Sequence, residues 1–146
     1  CQKEGHKGAT GDSTAFYLSD CLSKKSSSKG PGIDSVAWVY NNGMLTIHHY
    51  GAGQNCCIDD ININWNLSND TLIISETEVL SFGGGCSCNC LYNFSYSFDF
   101  NLGEALTVII DEQYLCNGEP KLMFNLSQAK PTGSTIELRN CYPWSF

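Results

Sequence analysis

Apolar and polar residues alternate with a period of two along much of the chain beyond residue 32. The clearest run extends from Cys86 to Phe100. Every second residue of this run is a cysteine or an aromatic residue: Cys86, Cys88, Cys90, Tyr92, Phe94, Tyr96, Phe98 and Phe100. Because successive side chains of a β-strand point to opposite faces, these residues share one face of a predicted strand. No segment has the spacing of a convincing amphipathic helix, and we interpret residues 15–22 as irregular or as a short strand.

Two turn signals arrange neighbouring strands as hairpins. Asn42-Gly43 fits a two-residue type I′ turn. It predicts the cross-strand pairs Tyr40–Leu45, Trp38–Ile47 and Val36–His49. A second turn at Asn69-Asp70 predicts the pairs Leu67–Leu72 and Trp65–Ile74, and it places Glu76 and Glu78 opposite Ile63 and Ile61. In both hairpins the large apolar residues fall on one face, as a half-buried sheet requires.

A third hairpin is predicted to turn through residues 101–105. It opposes Phe100 to Leu106, Phe98 to Val108 and Tyr96 to Ile110, and it brings Cys90 opposite Cys116. Further alternations at residues 122–126 and 136–138 add one strand each. The pattern therefore predicts an all-β fold, a disulfide-rich, antiparallel two-layer β-sandwich of about eight strands.

A chain of 146 residues fits a single folding domain. Residues 2–14 are polar and glycine-rich, which is typical of a flexible segment. We therefore expect residues 1–20 to form an N-terminal leader or lipid tether and residues 21–146 to form one β-sandwich domain. No apolar run is long enough for a membrane-spanning helix, and because the sequence starts at Cys1 we expect that a signal peptide has been removed.

The formal net charge is −7, and the bases avoid the middle of the chain. Every Lys and Arg lies at or before position 29 or at or after position 121, whereas eleven of the fifteen acids fall between Asp34 and Glu119. Binding to a phosphate backbone needs clustered bases, so we expect neither nucleic acid nor anionic lipid headgroups as partners. A weak divalent-cation site at Asp59 and Asp60 is an alternative to a plain acidic surface, although no spaced calcium-binding loop is present.

Nine cysteines indicate disulfides in an oxidising compartment. The predicted registers gather six of them at one end of the sandwich: Cys56, Cys57, Cys86, Cys88, Cys90 and Cys116. We expect a Cys90–Cys116 bridge, and different partners for Cys56 and Cys57 among Cys86 and Cys88. Cys21 and Cys141 then remain as a further pair. The full connectivity stays open, because eight cysteines allow 105 arrangements.

A metal site is the alternative interpretation of the same thiols. Three alternating thiolates with His48 or His49 could bind Zn²⁺ or Cu⁺, which favour sulfur. However, alternate residues of a strand lie about 7 Å apart, too far for one zinc ion without a bend. His48 and His49 also point to opposite faces of their strand, so at most one could join the site. The metal at this rim is therefore left unassigned.

Catalytic constellations are not evident in the sequence. There is no G-x-S-x-G motif, and bridged cysteines cannot act as nucleophiles. Glu76 and Glu78 project to the same face about 7 Å apart, a spacing compatible with glycosidase chemistry, but we expect them to be solvated at a strand end. We therefore predict no enzymatic activity, no catalytic residue and no cofactor.

Four N-x-[ST] sequons are candidate glycosylation sites, at Asn66, Asn69, Asn93 and Asn125. Asn66 and Asn69 flank a predicted hairpin tip, where a glycan could be accommodated.

Cys1 followed by a polar leader resembles the start of a mature bacterial lipoprotein. From Cys56 onward, the chain also resembles a group of uncharacterised lipoproteins from Bacteroidetes, over about sixty residues. The similar features are Cys56-Cys57, the strand at residues 71–76, the segment from Cys86 to Tyr92 and the turn at Gly103. The group often has Tyr where this chain has Leu106. The resemblance implies acylation of Cys1, an envelope location and an all-β fold, and it implies no activity.

These observations predict a non-enzymatic, lipid-anchored β-sandwich that binds or scaffolds at the cell envelope. An envelope or extracellular protein or a glycan is the expected partner, and the membrane is reached only through the lipid anchor. Two alternatives remain. The first is a self-assembling extracellular subunit joined through Cys1 or the N-terminal extension. The second is a thiolate metal-binding or redox module at the cysteine-rich rim.

Overall fold

The computed structural model describes residues 9–22, 32–81 and 83–145, and this part of the chain contains ten β-strands. The strands are β1 (Ala9–Thr14), β2 (Tyr17–Leu18), β3 (Gly32–Asn41), β4 (Met44–Asn55), β5 (Ile58–Ser68), β6 (Thr71–Leu80), β7 (Asn89–Asp99), β8 (Leu106–Glu112), β9 (Met123–Leu126) and β10 (Thr132–Arg139). Within these described ranges, no helix is long and apolar enough to cross a membrane.

The strands form two five-stranded sheets that pack face to face. The first sheet has the order β1-β5-β6-β8-β9 and the second has the order β10-β3-β4-β7-β2. Neighbouring strands are antiparallel except for β6 and β8, which are parallel. The predicted all-β sandwich is therefore confirmed. Its core lies between the sheets and is built from the inward apolar residues of both, among them Ile47, Ile63, Ile74, Tyr96 and Val108.

The first two predicted hairpins are present with their predicted registers. Tyr40 faces Leu45 and Trp38 faces Ile47 across the β3–β4 turn, where Asn42 and Gly43 adopt positive φ angles of 52° and 76°. Leu67 faces Leu72 in the β5–β6 hairpin. In the β3–β4 turn the residues fix the register, because Asn42 and Gly43 readily adopt the left-handed conformation that both central positions of a type I′ turn require.

The third predicted hairpin is wrong. β7 pairs with β4 and β2 in the second sheet, whereas β8 pairs with β6 and β9 in the first. The connection crosses the end of the sandwich, and Tyr40 holds it there. The Tyr40 hydroxyl donates to the Phe100 carbonyl at 2.8 Å and accepts from the Leu102 amide at 3.1 Å. Alternation dictates which face of a strand is buried but not which strand lies beside it, so the pattern fits both topologies.

The predicted leader also differs from the structure, because residues 9–14 and 17–18 belong to the sandwich. β1 pairs with β5 along its whole length, and β2 pairs with β7. β1 lacks large apolar residues because it lies against Trp65, where a Cβ at Gly11 would clash with the indole ring. An edge strand in this position needs small residues rather than an apolar stripe. Cys1 and the rest of residues 1–8 lie outside the described residues.

Four disulfides join the eight described cysteines. Cys56 pairs with Cys88 and Cys57 with Cys86, so the expected separate partners are found. The other two predicted bridges are wrong: the pairs are Cys21–Cys90 and Cys116–Cys141, with Cα separations of 5.5 and 6.4 Å. The predicted Cys90–Cys116 bridge depended on the third hairpin. The topology instead places Cys90 on β7 of the second sheet and Cys116 in the loop that follows β8 of the first, and Cys90 meets the segment that follows β2.

Asn55 organises the turn that carries Cys56 and Cys57. Its side-chain oxygen accepts from the amides of Cys57 and Cys86 at 2.9 and 3.0 Å, and its amide group donates to the Cys86 carbonyl at 2.7 Å. The Tyr92 hydroxyl donates to the Asn55 carbonyl at 2.9 Å. The cysteine-rich end is therefore held by hydrogen bonds between side chains and the backbone as well as by disulfides.

We expect Cys116→Ser to expose one new thiol, at Cys141, and to lower the free energy of unfolding by about 3 kcal/mol, because it opens a loop of intermediate length. Alkylation of the native variant followed by peptide mapping identifies the exposed cysteine, and urea unfolding measures the loss. The variant Cys90→Ser is the control and should expose Cys21. Labelling of Cys90 in Cys116→Ser would contradict this connectivity.

Candidate functional site

A cluster of charged side chains lies inside the sandwich, between the two sheets. His49 of β4, Asp34 of β3 and Arg139 of β10 come from the second sheet, and Glu76 of β6 and Glu112 of β8 come from the first. We call these five residues the buried charged centre. His49, Asp34, Glu76 and Arg139 have no solvent exposure, and Glu112 is 8% exposed. Charged residues are almost never buried to this degree unless they are paired.

His49 is the hub of the buried charged centre. Its Nδ1 lies 2.7 and 2.9 Å from the two carboxylate oxygens of Glu76. Its Nε2 lies 2.6 Å from Asp34 Oδ1 and 3.1 Å from Glu112 Oε1. One imidazole ring therefore touches three carboxyl groups.

Two further groups hold the carboxylates in position. Arg139 donates to Asp34 Oδ2 through Nε at 3.0 Å, and its Nη2 lies at the same distance from that oxygen. Arg139 Nη1 contacts the Pro120 carbonyl and lies 3.7 Å from Glu119 at the edge of the centre. The Tyr96 hydroxyl donates to Glu76 Oε2 at 2.8 Å.

The environment shifts the pKa values of the buried groups. Burial lowers the pKa of His49, but the charges of Glu76, Asp34 and Glu112 outweigh it and hold the pKa well above its usual value. Burial raises the pKa of Asp34, yet the charge of His49 and its hydrogen bond, with contributions from Glu112 and Arg139, bring the net value below normal. Burial raises the pKa of Glu112 to about 8 in spite of the opposing charge of His49. Burial and the charge of Glu76 raise the pKa of Tyr96 well above 10.0.

A β-bulge sets the position of His49 at the end of the regular pairing between β4 and β7. The register shifts between His49 and Ala52, and Gly51 has a φ of 73°. The Gly51 amide donates to Asn93 Oδ1 at 3.0 Å, and its carbonyl accepts from Trp144 Nε1 at 2.6 Å. The bulge reverses the inward phase of β4 from odd to even positions, so Ala52 is buried after it.

The histidines and glutamates singled out from the sequence have different environments. His48 and His49 do face opposite sides of β4, and His48 Nδ1 lies 2.7 Å from the Ser95 hydroxyl. Glu76 is not solvated as expected, because it faces the core and binds His49. Glu78 is also held in place, since its carboxylate accepts hydrogen bonds from the backbone N–H of Asn55 at 2.8 Å and from the Tyr114 hydroxyl.

The other candidate residues do not converge on a site. Asp59 accepts from Ser81 and Asp60 from the Ile61 amide. Among the described residues, the one group of three potential metal ligands is Asp34, His49 and Glu112. The cysteines proposed as thiolate ligands are bridged. Asn66, Asn69 and Asn125 are exposed, whereas Asn93 is half-buried and bonded to Gly51.

Asp34, Glu112 and Arg139 were missed from the sequence, although a signal for two of them was present. Asp34 is in phase with the buried Val36 and Trp38, and Glu112 is in phase with the buried Val108 and Ile110. A charged residue at an inward position on several strands of one sandwich predicts that these residues meet.

A second feature is a pair of open depressions on either side of Trp65. The first, of about 600 Å³, is lined by Thr10, Gly11, Asp12, Asn64, Trp65, Asn66, Ile73 and Ser75. The second, of about 530 Å³, is lined by Ala9, Gly43, Trp65, Leu67, Asp99, Phe100, Asn101 and Gly103. We call the two together the β1-edge surface. Their volumes fall within the range of small-ligand sites.

Comparison with known proteins finds no match to a family model, to a curated protein or to a solved structure.

Tyr96→Phe should lower the free energy of unfolding by about 2 kcal/mol, because it removes a buried hydrogen bond to a carboxylate. Urea unfolding measures this change. Tyr17→Phe is the matched control: Tyr17 is 54% exposed, and its substitution should change stability by less than about 0.5 kcal/mol. Equal losses in the two variants would show that the Tyr96–Glu76 bond contributes nothing.

Proposed function

We propose that the protein is a non-enzymatic, lipid-anchored binding protein of the cell envelope and that its β1-edge surface binds a neutral glycan. The observation that carries this proposal is the composition of that surface. Amide, hydroxyl and carboxylate side chains line the two depressions, and the partly exposed Trp65 lines both of them.

The hydrogen-bonding groups of the β1-edge surface match those of a polyhydroxylated ligand. Asn64 and Asn66 are exposed on β5 beside the exposed Thr10 and Asp12 of β1. Each amide offers two donor hydrogens and an acceptor oxygen, which suits hydroxyl groups that both donate and accept. The exposed apolar side chain of Ile73, in the first depression, can pack against the C–H groups of a sugar ring.

Charge favours a neutral ligand over an anionic one. Asp12 lines the first depression and Asp99 the second. No Lys or Arg occurs between residues 30 and 120. An anionic ligand would therefore meet carboxylates without a compensating base.

The side chains that could support acid–base catalysis lie away from the β1-edge surface. His49 and Glu76 are fully buried and bonded to each other, so a ligand at the surface does not reach them. This placement supports a binding role for the β1-edge surface rather than a hydrolytic one.

An oxidising extracytoplasmic compartment accounts for the four disulfides, because such bridges persist where thiols are not kept reduced. The lipid anchor is a proposal from the sequence, in which Cys1 precedes a polar stretch as in bacterial lipoproteins.

A printed panel of neutral and acidic oligosaccharides tests the binding proposal. We expect binding to neutral members, and a three- to tenfold loss in Asn64→Ala and in Asn101→Ala, about the effect of one hydrogen bond. Asn125→Ala is the matched control, an exposed asparagine on β9 of the same sheet, and should bind as the wild type does. Binding confined to acidic sugars, or equal effects in all three variants, would contradict the proposal.

Intact mass spectrometry tests the lipid anchor on protein purified from its native membranes. We expect a mass increase of a size that fits acyl chains, located on the peptide that contains Cys1. The Cys1→Ala variant should lose this mass and leave the membrane fraction. An unmodified amine on Cys1 of the native protein would exclude the anchor while leaving the glycan experiment unaffected.

A further inference from the structure

We propose that Asp34, His49 and Glu112 bind one divalent transition-metal ion inside the sandwich, through one imidazole nitrogen and two carboxylate oxygens. The ion would join β3 and β4 of the second sheet to β8 of the first. This inference is independent of the β1-edge surface and of the lipid anchor.

The spacing of the three donor atoms fits a shared ion. Asp34 Oδ1, His49 Nε2 and Glu112 Oε1 all lie within 4.8 Å of one another. His49 Nε2 is 2.6 Å from the Asp34 oxygen and 3.1 Å from the Glu112 oxygen. Ligands at about 2.1 Å from an ion and at right angles to each other are roughly 3 Å apart. Small adjustments of these side chains therefore suffice to place an ion between them.

Glu112 provides a second, independent observation. Its side chain is 2% exposed, and neither carboxylate oxygen makes a contact with hydrogen-bond geometry, although Oε1 lies in an ion pair 3.1 Å from His49 Nε2. Such a group is rare in a folded protein because the loss of hydration is then only partly compensated. Glu112 Oε1 points toward His49 Nε2, on the side where Asp34 also lies. An ion at this position would supply the missing partner.

The groups around the three donors form the support that metal ligands commonly have. Glu76 binds the other ring nitrogen of His49 at 2.7 Å and fixes the ring orientation, and the Tyr96 hydroxyl in turn binds Glu76 at 2.8 Å. Arg139 binds the second oxygen of Asp34 at 3.0 Å. A carboxylate on the distal nitrogen of a ligating histidine is a recurrent arrangement, and its loss usually weakens metal binding 10- to 100-fold.

A divalent cation can replace protons in the buried charged centre without changing its net charge. With an imidazolium at His49, a guanidinium at Arg139, carboxylates at Asp34 and Glu76 and a protonated carboxyl at Glu112, the charges sum to zero. A divalent ion held by a neutral imidazole and an ionised Glu112 would take the place of two protons, so the sum stays at zero and no uncompensated charge is left between the two apolar layers. Nitrogen and oxygen donors without sulfur suit Zn²⁺ or Mn²⁺ better than Cu⁺.

The experiment uses the full chain with its disulfides intact. Protein is unfolded in guanidinium with a chelator, refolded with or without one equivalent of Zn²⁺ or Mn²⁺, freed of loose metal by gel filtration, and analysed for metal content. We expect about one ion per chain and a higher melting temperature in the metal-loaded sample. Glu112→Gln and Asp34→Asn should each weaken binding at least tenfold. Glu119→Gln, which removes a nearby carboxylate outside the donor set, should bind as the wild type does.

X-ray absorption at the metal edge of the loaded wild type identifies the donors directly, and it decides the matter even if the two ligand variants fail to fold. A shell of nitrogen and oxygen with imidazole scattering supports the proposal. A sulfur shell, less than one ion per ten chains, or a folded Glu112→Gln variant that binds the ion as tightly as the wild type does would overturn it. Each of these results leaves the glycan proposal untouched.

Discussion

A histidine that touches three carboxyl groups, sealed between two β-sheets, is the constraint on which the rest of this sandwich depends. Ionised groups leave water only at a high cost, and that cost is tolerated where each charge has a partner at hydrogen-bonding distance. Here the partners come from both sheets. Glu76 and Glu112 approach from one side, and Asp34, His49 and Arg139 approach from the other. The two layers must therefore keep a fixed spacing and offset around these residues.

The remainder of the fold is consistent with this requirement. β6 and β8 are parallel neighbours, and their pairing sets Glu76 directly beside Glu112. The parallel arrangement exists because the chain crosses from one sheet to the other between β7 and β8, over a loop that Tyr40 holds at the end of the sandwich. At the opposite side of the hairpins, three disulfides fasten the β4–β5 turn and the segment after β2 to β7 and the residues before it. The covalent bridges and the charged residues thus restrain different parts of the same two layers.

The registers set by local turn residues could be predicted from the sequence. The pairing of strands that are distant along the chain could not. Asn42-Gly43 and Asn69-Asp70 set two registers, because these turns admit few alternatives. Residues 101–105 fit a hairpin and a crossover between sheets equally well. The Cys90–Cys116 bridge was predicted from the hairpin, so it was wrong for the same reason. β1 was missed because an edge strand that lies against Trp65 needs only small residues. The buried charged centre was missed because Asp34 and Glu112 were counted as part of an acidic surface, although their phase along β3 and β8 places them inside.

The alternating geometry of a strand gives the buried charged centre a role in folding accuracy. A slip of one residue in the pairing of β10 with β3 would turn Arg139 outward and leave Asp34 without its guanidinium. A similar slip in β8 would move Glu112 away from His49. Five strands each place one charged side chain in the same small volume. A sandwich with one strand out of register therefore leaves a charged side chain in the core without its partner. We infer that the buried charged centre raises the free energy of misregistered forms more than an apolar core of equal size would. It thereby helps to select the native strand register.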